Sequence, residues 1–250
     1  MKALSPPGLV GTLNFGIKQA RSNWIARIDA DDICLPNRLK AQVEFVEKNP
    51  DIVILGTGFE IFGTHSRSEI IRHPTHPVEV AWKFSWNTRV GHPTVLFNKK
   101  TIEDFGGYPK MKAEDFALFS KIAQMRRVSN LPGVFLKYRL HGENKSVLED
   151  SAMREDVYTI SSQILASYNV PRAIHKAYVH FHWGVSSPLK YLPTIYLWNF
   201  IIIGKISLSL GYSLRPSFVF VIMPKFIFLL ISNTLKQVRL RLRRYRLLFT

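Results

Sequence analysis

Apolar residues recur at helical spacing over residues 9–20 (LVGTLNFGIKQA), where Leu9, Leu13, Ile17 and Ala20 fall on one face. Ser22 and Asn23 break that pattern, and WIARID (24–29) is expected to form a short buried strand. Pro36 sits near the start of the next helix, where its missing N–H is harmless. Leu39, Val43 and Val46 supply that helix with an apolar stripe, and Asn49-Pro50 stops it. DIVILGTGFEIF (51–62) has the β-branched, apolar character of a strand, bent at its glycines. Strand, helix and strand in this order predict an α/β layer architecture.

Farther along, a polar connection containing His73, Pro74, His76 and Pro77 leads into a helical run. VGHPTVLF (90–97) follows it. In FGGYPKMKAEDFALFSKIAQM (105–125) a glycine turn precedes a helix with Phe116, Phe119 and Ile122 inward. VFLKYRLH (134–141) is strand-like, and residues 151–180 form an amphipathic helical region. Trp82 and Trp86 stand at i, i+4, a spacing that suits core packing better than stacking on a sugar.

The character changes from residue 189. PTIYLWNFIIIGKISLSLGYSL (193–214) and PSFVFVIMPKFIFLLIS (216–232) are strongly apolar, each interrupted by a lysine. A membrane span needs about 20 apolar residues, so the first run is borderline and the second short. KQVRLRLRRYR (236–246) then brings six cations and no acid. The predicted organisation is a domain over 1–150, a helical connector over 151–188, hydrophobic helices over 189–235 and a basic tail over 236–250.

Charge sharpens this division. The 250 residues carry a net charge of +16. Residues 1–150 hold 21 Lys and Arg against 16 Asp and Glu, whereas 151–250 hold 13 against 2. A basic excess suits nucleic acid or anionic lipid. Here it accompanies apolar runs and no aromatic-basic motif, so an anionic membrane surface is the expected partner and nucleic acid is not. A single cysteine, Cys34, excludes an internal disulfide and a cysteine-based zinc site.

Against that basic background, ARIDADDICLPNRL (26–39) places Asp29, Asp31 and Asp32 at a strand end. In open α/β sheets ligands gather beyond the carboxyl ends of strands. One aspartate there would be an ordinary helix cap. Three exceed what a cap requires, and hard carboxylate oxygens suit Mg²⁺, Mn²⁺ or Ca²⁺. An EF-hand is excluded, because a loop starting at Asp29 would place Cys34 where glycine is needed and Lys40 where glutamate is needed. No P-loop or GxGxxG fingerprint occurs.

GLVGTLNFGIKQARSNWIARIDADDICLPNRLKAQVEFVEKNPDIVILGTG closely resembles the central part of family 2 glycosyltransferases of the GT-A fold. The resemblance runs from about residue 8 to about residue 146. It implies that Asp29-Ala30-Asp31 is the Asp-x-Asp motif, holding Mn²⁺ or Mg²⁺ on the diphosphate of a nucleotide-sugar donor. Asp29 and Asp31 are then the metal residues. One of the two would also touch the ribose, and Asp29 is the one carried as substrate-binding.

AEDFALFSKI resembles the family's Glu-Asp motif, so the resemblance makes Asp115 the general base toward an acceptor hydroxyl and Glu114 its substrate-binding neighbour. The helix-start position is expected to keep Asp115 ionised, with Glu114 pushing the other way. His92 in GHPT, and Arg139 and His141 in YRLHGENKS, match further family positions and would line the diphosphate or a closing loop.

The family opens with a strand, turn and helix, then a strand bearing an aspartate for the base, and none of these precedes Gly8. The resemblance therefore implies an N-terminally truncated, Rossmann-like sheet lacking its first strands. The expected function is metal-dependent, inverting sugar transfer to a glycan or lipid-linked acceptor, in cell-surface polysaccharide or lipopolysaccharide synthesis at the cytoplasmic face of the membrane. The alternative is a catalytically inactive, membrane-associated remnant.

Overall fold

The computed structural model describes residues 8–63, 68–140, 151–183 and 191–212, with Ile231, Thr234 and Leu235. His141, the apolar run 216–230 and the basic tail 236–246 lie outside the described residues. The chain divides into two units. One runs to Phe84 and resumes over Thr88–Val157; the other comprises Ser85–Asn87 and the chain from Tyr158 onward.

In the first unit, helix α1 (Leu9–Gln19) precedes strand β1 (Trp24–Ala26), β2 (Ile33–Cys34), α2 (Arg38–Lys48) and β3 (Ile52–Phe62). Next come β4 (Glu69–Ile71), α3 (Pro77–Lys83), β5 (Leu96–Asn98), α4 (Lys99–Asp104), α5 (Glu114–Ala123) and β6 (Arg127–Arg139). The strands make one mixed sheet in the order β1-β5-β3-β6-β2, with β4 added to β3. Only β3 and β6 pair in parallel; the other pairings are antiparallel. The expected α/β class is therefore observed, with the antiparallel β5 inserted between β1 and β3.

Ile54 and Leu55 point to opposite faces of β3, as successive strand residues must. Both are fully buried, so the sheet is covered on each side there. Leu55 clusters with Val46, Ile52, Leu96 and Leu131, and Phe45 and Trp24 pack against that group. Elsewhere α3 and α5 pack on each other and on β6. The inward Phe116, Phe119 and Ile122 of α5 are buried as predicted, and Phe84 stacks on Phe116 at 6.2 Å between ring centroids.

The apolar stripe predicted for α2 is displaced. Leu39 is 51% and Val43 39% exposed, while Arg38, Gln42 and Val46 face inward. The cause is polar. Gln42 Nε2 donates to the Leu55 and Thr94 carbonyls, each at 2.9 Å, and its Oε1 accepts from Arg38 Nε at 3.2 Å. Binary patterning has no means of placing a glutamine in a core; only its carbonyl partners do. Similarly, α1 buries Ile17 alone, and Leu9 stays 56% exposed. Strand β1 is shorter and more exposed than expected, since it sits at the end of the strand order with only β5 beside it.

The bend foreseen at the glycines of β3 appears as register shifts around Gly58 in the pairing with β6. At Gly56 a Cβ would come within 2.2 Å of both Asn130 Oδ1 and Val90 Cγ1, so only glycine fits. The Asn130 amide that occupies this space donates to the carbonyls of Pro74 at 2.8 Å and Arg89 at 3.0 Å.

The second unit contains the C-terminal part of α6 (Ser151–Ser167), α7 (Arg172–His182) and α8 (Leu192–Ser209). The helical region foreseen over 151–180 is thus two helices, broken near Asn169, whose φ is +63°. Trp82 and Trp86 are each 1% exposed, as core residues should be. Trp86 lies beyond the end of α3, and its indole stacks on His182 at 3.9 Å between ring centroids. Asn199 of α8 accepts from Tyr178 Oη and from His182 Nε2, the latter at 3.1 Å.

Replacing Gln42 with leucine is expected to cost about 2–3 kcal/mol, because it removes a buried donor from two carbonyls and an acceptor from Arg38. Urea denaturation of the two chains measures this, and an unchanged midpoint would contradict the assignment.

Candidate functional site

Strand β1 delivers the acidic turn from a fixed backbone. Arg27 N–H donates to the Val95 carbonyl at 2.9 Å, and the Arg27 carbonyl accepts from the buried Arg38 Nη2 at 2.7 Å. From there the chain turns on itself, with Asp32 N–H donating to the Asp29 carbonyl at 3.2 Å. Asp29 is ion-paired through Oδ1 to Arg27 Nη2 and keeps a half-exposed carboxylate. Asp31 is exposed.

The far side of the turn is held by β6. Asp32 Oδ1 accepts from Arg139 N–H at 2.9 Å, and Arg139 Nε donates to the Asp31 carbonyl at 2.9 Å. The Arg139 guanidinium lies 4.5 Å above the Phe62 ring. Arg139, expected to line the diphosphate or a closing loop, also clamps the acidic turn to the sheet. Among the described residues, the buried Asp32 Oδ2 has no hydrogen-bond partner. Burial, reinforced by the charges of Asp29 and Asp31, pushes its carboxyl up to about 6, against the Arg139 N–H and Arg27.

The second cluster sits at the start of α5. Asp156 Oδ2 accepts from Lys112 N–H at 2.8 Å and Ala113 N–H at 3.4 Å, fixing the approach to the helix. Glu114 is 7% exposed, and Asp115 Oδ1 accepts from Phe116 N–H at 2.7 Å. Burial, then the neighbouring Asp115, pushes Glu114 up to about 7. Burial also raises Asp115, opposed by the Phe116 N–H and by Arg27. The helix-start N–H favours the ionised carboxylate of Asp115, as expected, but it is not the dominant influence. Desolvation outweighs it, and the charge repulsion within the pair falls most clearly on Glu114.

His92 connects to this cluster through Tyr108. Its Nε2 lies 2.9 Å from the Tyr108 hydroxyl. Burial, followed by the charge of Arg27, holds His92 well below its ordinary range, so the imidazole is neutral. Tyr108 is itself fixed at both backbone polar atoms by the Asn14 amide of α1, with its N–H donating at 2.8 Å and its carbonyl accepting at 2.9 Å. Gly107, with φ of +72°, makes the approach possible: a Cβ there would stand 2.6 Å from Asn14 Oδ1.

Arg27 joins these groups. Its charge acts on Asp32, His92, Tyr108, Glu114 and Asp115, and Glu114 also feels Asp29. Residues from two distant segments therefore share one electrostatic neighbourhood. Sequence reasoning missed Arg27, Tyr108, Asn14 and Asp156. Arg27 carried a signal, as a cation two positions before the acidic triplet; the other three are placed only by tertiary structure. Among the described residues no group of three or more His, Cys, Asp or Glu converges as a set of metal ligands.

An α/β sheet with acidic groups gathered at its strand and helix ends is the layout of an enzyme for a polar substrate. The chain belongs to glycosyltransferase family 2. The family model described as glycosyl transferase family 2 matches residues 5–120. A UDP-Gal:alpha-D-GlcNAc-diphosphoundecaprenol beta-1,3-galactosyltransferase of Escherichia coli is 30% identical over 192 residues, covering 75% of this chain and 68% of that protein.

The amylovoran biosynthesis glycosyltransferase AmsE of Erwinia amylovora is 31% identical over 134 residues, covering 53% of this chain and 50% of its own length. The chain spans about half the length of the first curated relatives it matches, at 50% and 51%. Among solved structures, that of Staphylococcus aureus TarS aligns with a TM-score of 0.46 at 17% identity, over 90% of this chain and 40% of that one.

Glu114 generates a pH prediction. Its carboxyl binds the proton more tightly folded than unfolded, so stability is fully present below 4.5 and is lost as pH rises toward about 7. In thermal unfolding, Glu114→Gln is expected to melt above the unaltered chain at about pH 8 and to converge with it at about pH 4. Parallel curves at every pH would show that the burial cost lies elsewhere.

Proposed function

We propose that this chain transfers a sugar from a nucleotide-sugar donor to an acceptor hydroxyl, with inversion, in the assembly of a cell-surface polysaccharide or lipopolysaccharide. The observation that carries the proposal is the approach of the two acidic segments, Asp29–Asp32 and Glu114–Asp115, to the same guanidinium of Arg27. A base and a diphosphate-handling group must act on one substrate, and the shared influence of Arg27 on both segments supports that reading.

The proposed ion is Mn²⁺ or Mg²⁺, held by Asp29 and Asp31. The donor set fits such an ion, because hard cations of this kind are commonly held by one or two carboxylates and completed by substrate phosphate oxygens and water. Fewer than three protein ligands is therefore no obstacle. Bound there, the ion would supply positive charge beside the departing diphosphate.

The chain's own residues supply the rest. Asp115 takes the proton from the acceptor hydroxyl while the acceptor oxygen bonds to the anomeric carbon and the bond from that carbon to the diphosphate oxygen breaks. Its elevated proton affinity makes it a stronger base than an ordinary aspartate, as general-base catalysis near neutrality favours. Glu114 and the neutral His92, oriented by Tyr108, line the substrate. Arg139 keeps the acidic turn in place, and His141 is proposed, from the resemblance alone, to line the diphosphate.

The acceptor is proposed to be lipid-linked, as the name of the Escherichia coli relative states for that protein. Helix α8 supports work at a membrane. Its 18 residues have a mean hydropathy of 1.3 and satisfy the length and composition of a span, with 33% buried. One side packs inward through Ile195, Asn199, Ile202 and Ile206, while Leu197, Phe200 and Leu208 are more than half exposed. Such a two-sided helix suits attachment along an anionic bilayer, with the cations of 236–246 contributing charge. The cytoplasmic face, where sugar nucleotides are found, is the proposed side.

Asp115→Asn is expected to lower sugar transfer by about 10²–10⁴-fold, the usual contribution of a general base, while donor binding persists. Asp31→Asn is expected to weaken Mn²⁺-dependent donor binding itself. Turnover of radiolabelled donors separates the two, and full activity in both variants would remove the mechanism. In flotation with phosphatidylglycerol vesicles, the intact chain should rise with the lipid and a chain ending at Ser187 should not.

A further inference from the structure

Asp29 already has a cation. The Arg27 side chain is only 12% exposed, and its Nη2 is committed to Asp29 Oδ1. Among the described residues its buried Nη1 has no hydrogen-bond partner. A buried guanidinium N–H without an acceptor is costly, and native structures keep such groups rare. The backbone that carries this guanidinium is pinned on one side by the Val95 carbonyl and on the other by Arg38 Nη2, so its point of departure is fixed. The guanidinium is a cation delivered to one place, with Nη2 bonded to Asp29 and the buried Nη1 left over.

A divalent ion that takes Asp29 must first replace this guanidinium. The displaced group then has both Nη atoms unmatched beside the carboxylates, in a part of the protein with little water. An incoming anion with several oxygens resolves that imbalance, since a guanidinium presents paired donors in the geometry that phosphate oxygens accept. We propose that Arg27 is a resident counter-ion that holds Asp29 until a divalent cation replaces it, and that the released guanidinium then binds a diphosphate oxygen. The inference rests on the reading of Asp29 as a metal residue. It adds an exchange of partners that makes metal and diphosphate binding mutually dependent, each favouring the other.

The test uses the full chain and its Arg27→Gln, Arg27→Lys and Asp29→Asn variants, with Mn²⁺ alone followed by micromolar inorganic pyrophosphate. Free Mn²⁺ is read from its electron paramagnetic resonance signal, and pyrophosphate binding at saturating Mn²⁺ by calorimetry. Arg27→Gln should bind Mn²⁺ alone on the order of tenfold more tightly, the effect of removing one charge-assisted competitor. The same variant should bind pyrophosphate on the order of tenfold more weakly.

Arg27→Lys, which retains the charge and safeguards the fold, should keep near-native Mn²⁺ affinity and lose pyrophosphate affinity about fivefold, for want of the forked donors. Unchanged Mn²⁺ and pyrophosphate affinities in Arg27→Gln, with Mn²⁺ binding abolished in Asp29→Asn, would overturn the role of Arg27 alone. Mn²⁺ binding that is absent from the unaltered chain, or indifferent to Asp29→Asn, would overturn this inference together with the metal reading beneath it.

Discussion

Mutual repulsion among carboxylates is the constraint around which the first unit is built. Asp29, Asp31 and Asp32 lie within one turn, and Glu114 and Asp115 come from a helix more than eighty positions away. Assembling them costs Coulomb energy and desolvation together. The protein limits the cost with a guanidinium from Arg27, N–H groups from Arg139 and Phe116, and elevated proton affinities at Asp32 and Glu114. The residual strain is what a substrate bearing cations, or a proton to give away, can relieve.

The sequence was informative wherever one residue type has few other uses. A carboxylate triplet behind a strand, an acidic pair opening a helix and an apolar strand rich in isoleucine all fall where the chain pattern put them. The sequence was uninformative wherever a polar side chain faces inward. Arg38 and Gln42 have the composition of a solvated helix face, and their burial follows only from carbonyls contributed by Arg27 after β1, by β3 and by the turn before β5. The same limit applies to Arg139. Resemblance placed it at the diphosphate or a closing loop, whereas its bonds to the acidic turn are visible only in the structure. Tyr108 and Asn14 stand 94 positions apart and share no local signature.

Helix α8 shows the complementary difficulty. Its run of isoleucine, leucine and phenylalanine has the length and composition of a membrane span, but Asn199 in its middle accepts two hydrogen bonds inside the second unit. A polar residue spent in this way fixes which side of the helix faces protein. The remaining apolar side is then defined by geometry rather than by hydropathy. Composition identifies the helix as exceptional, and the hydrogen bonds define its orientation.

The clamp that joins Asp32 to Arg139 closes across 107 positions of chain. Local contacts form early, and pairings between distant segments must wait for the entropy of loop closure to be overcome. The parallel pairing of β3 with β6, which sets Ile52 against Arg127, also joins distant segments and carries a similar closure cost. A nascent chain carries the acidic turn well before it carries the strand that restrains it. The competence of the site thus reports that folding of this unit has gone to completion.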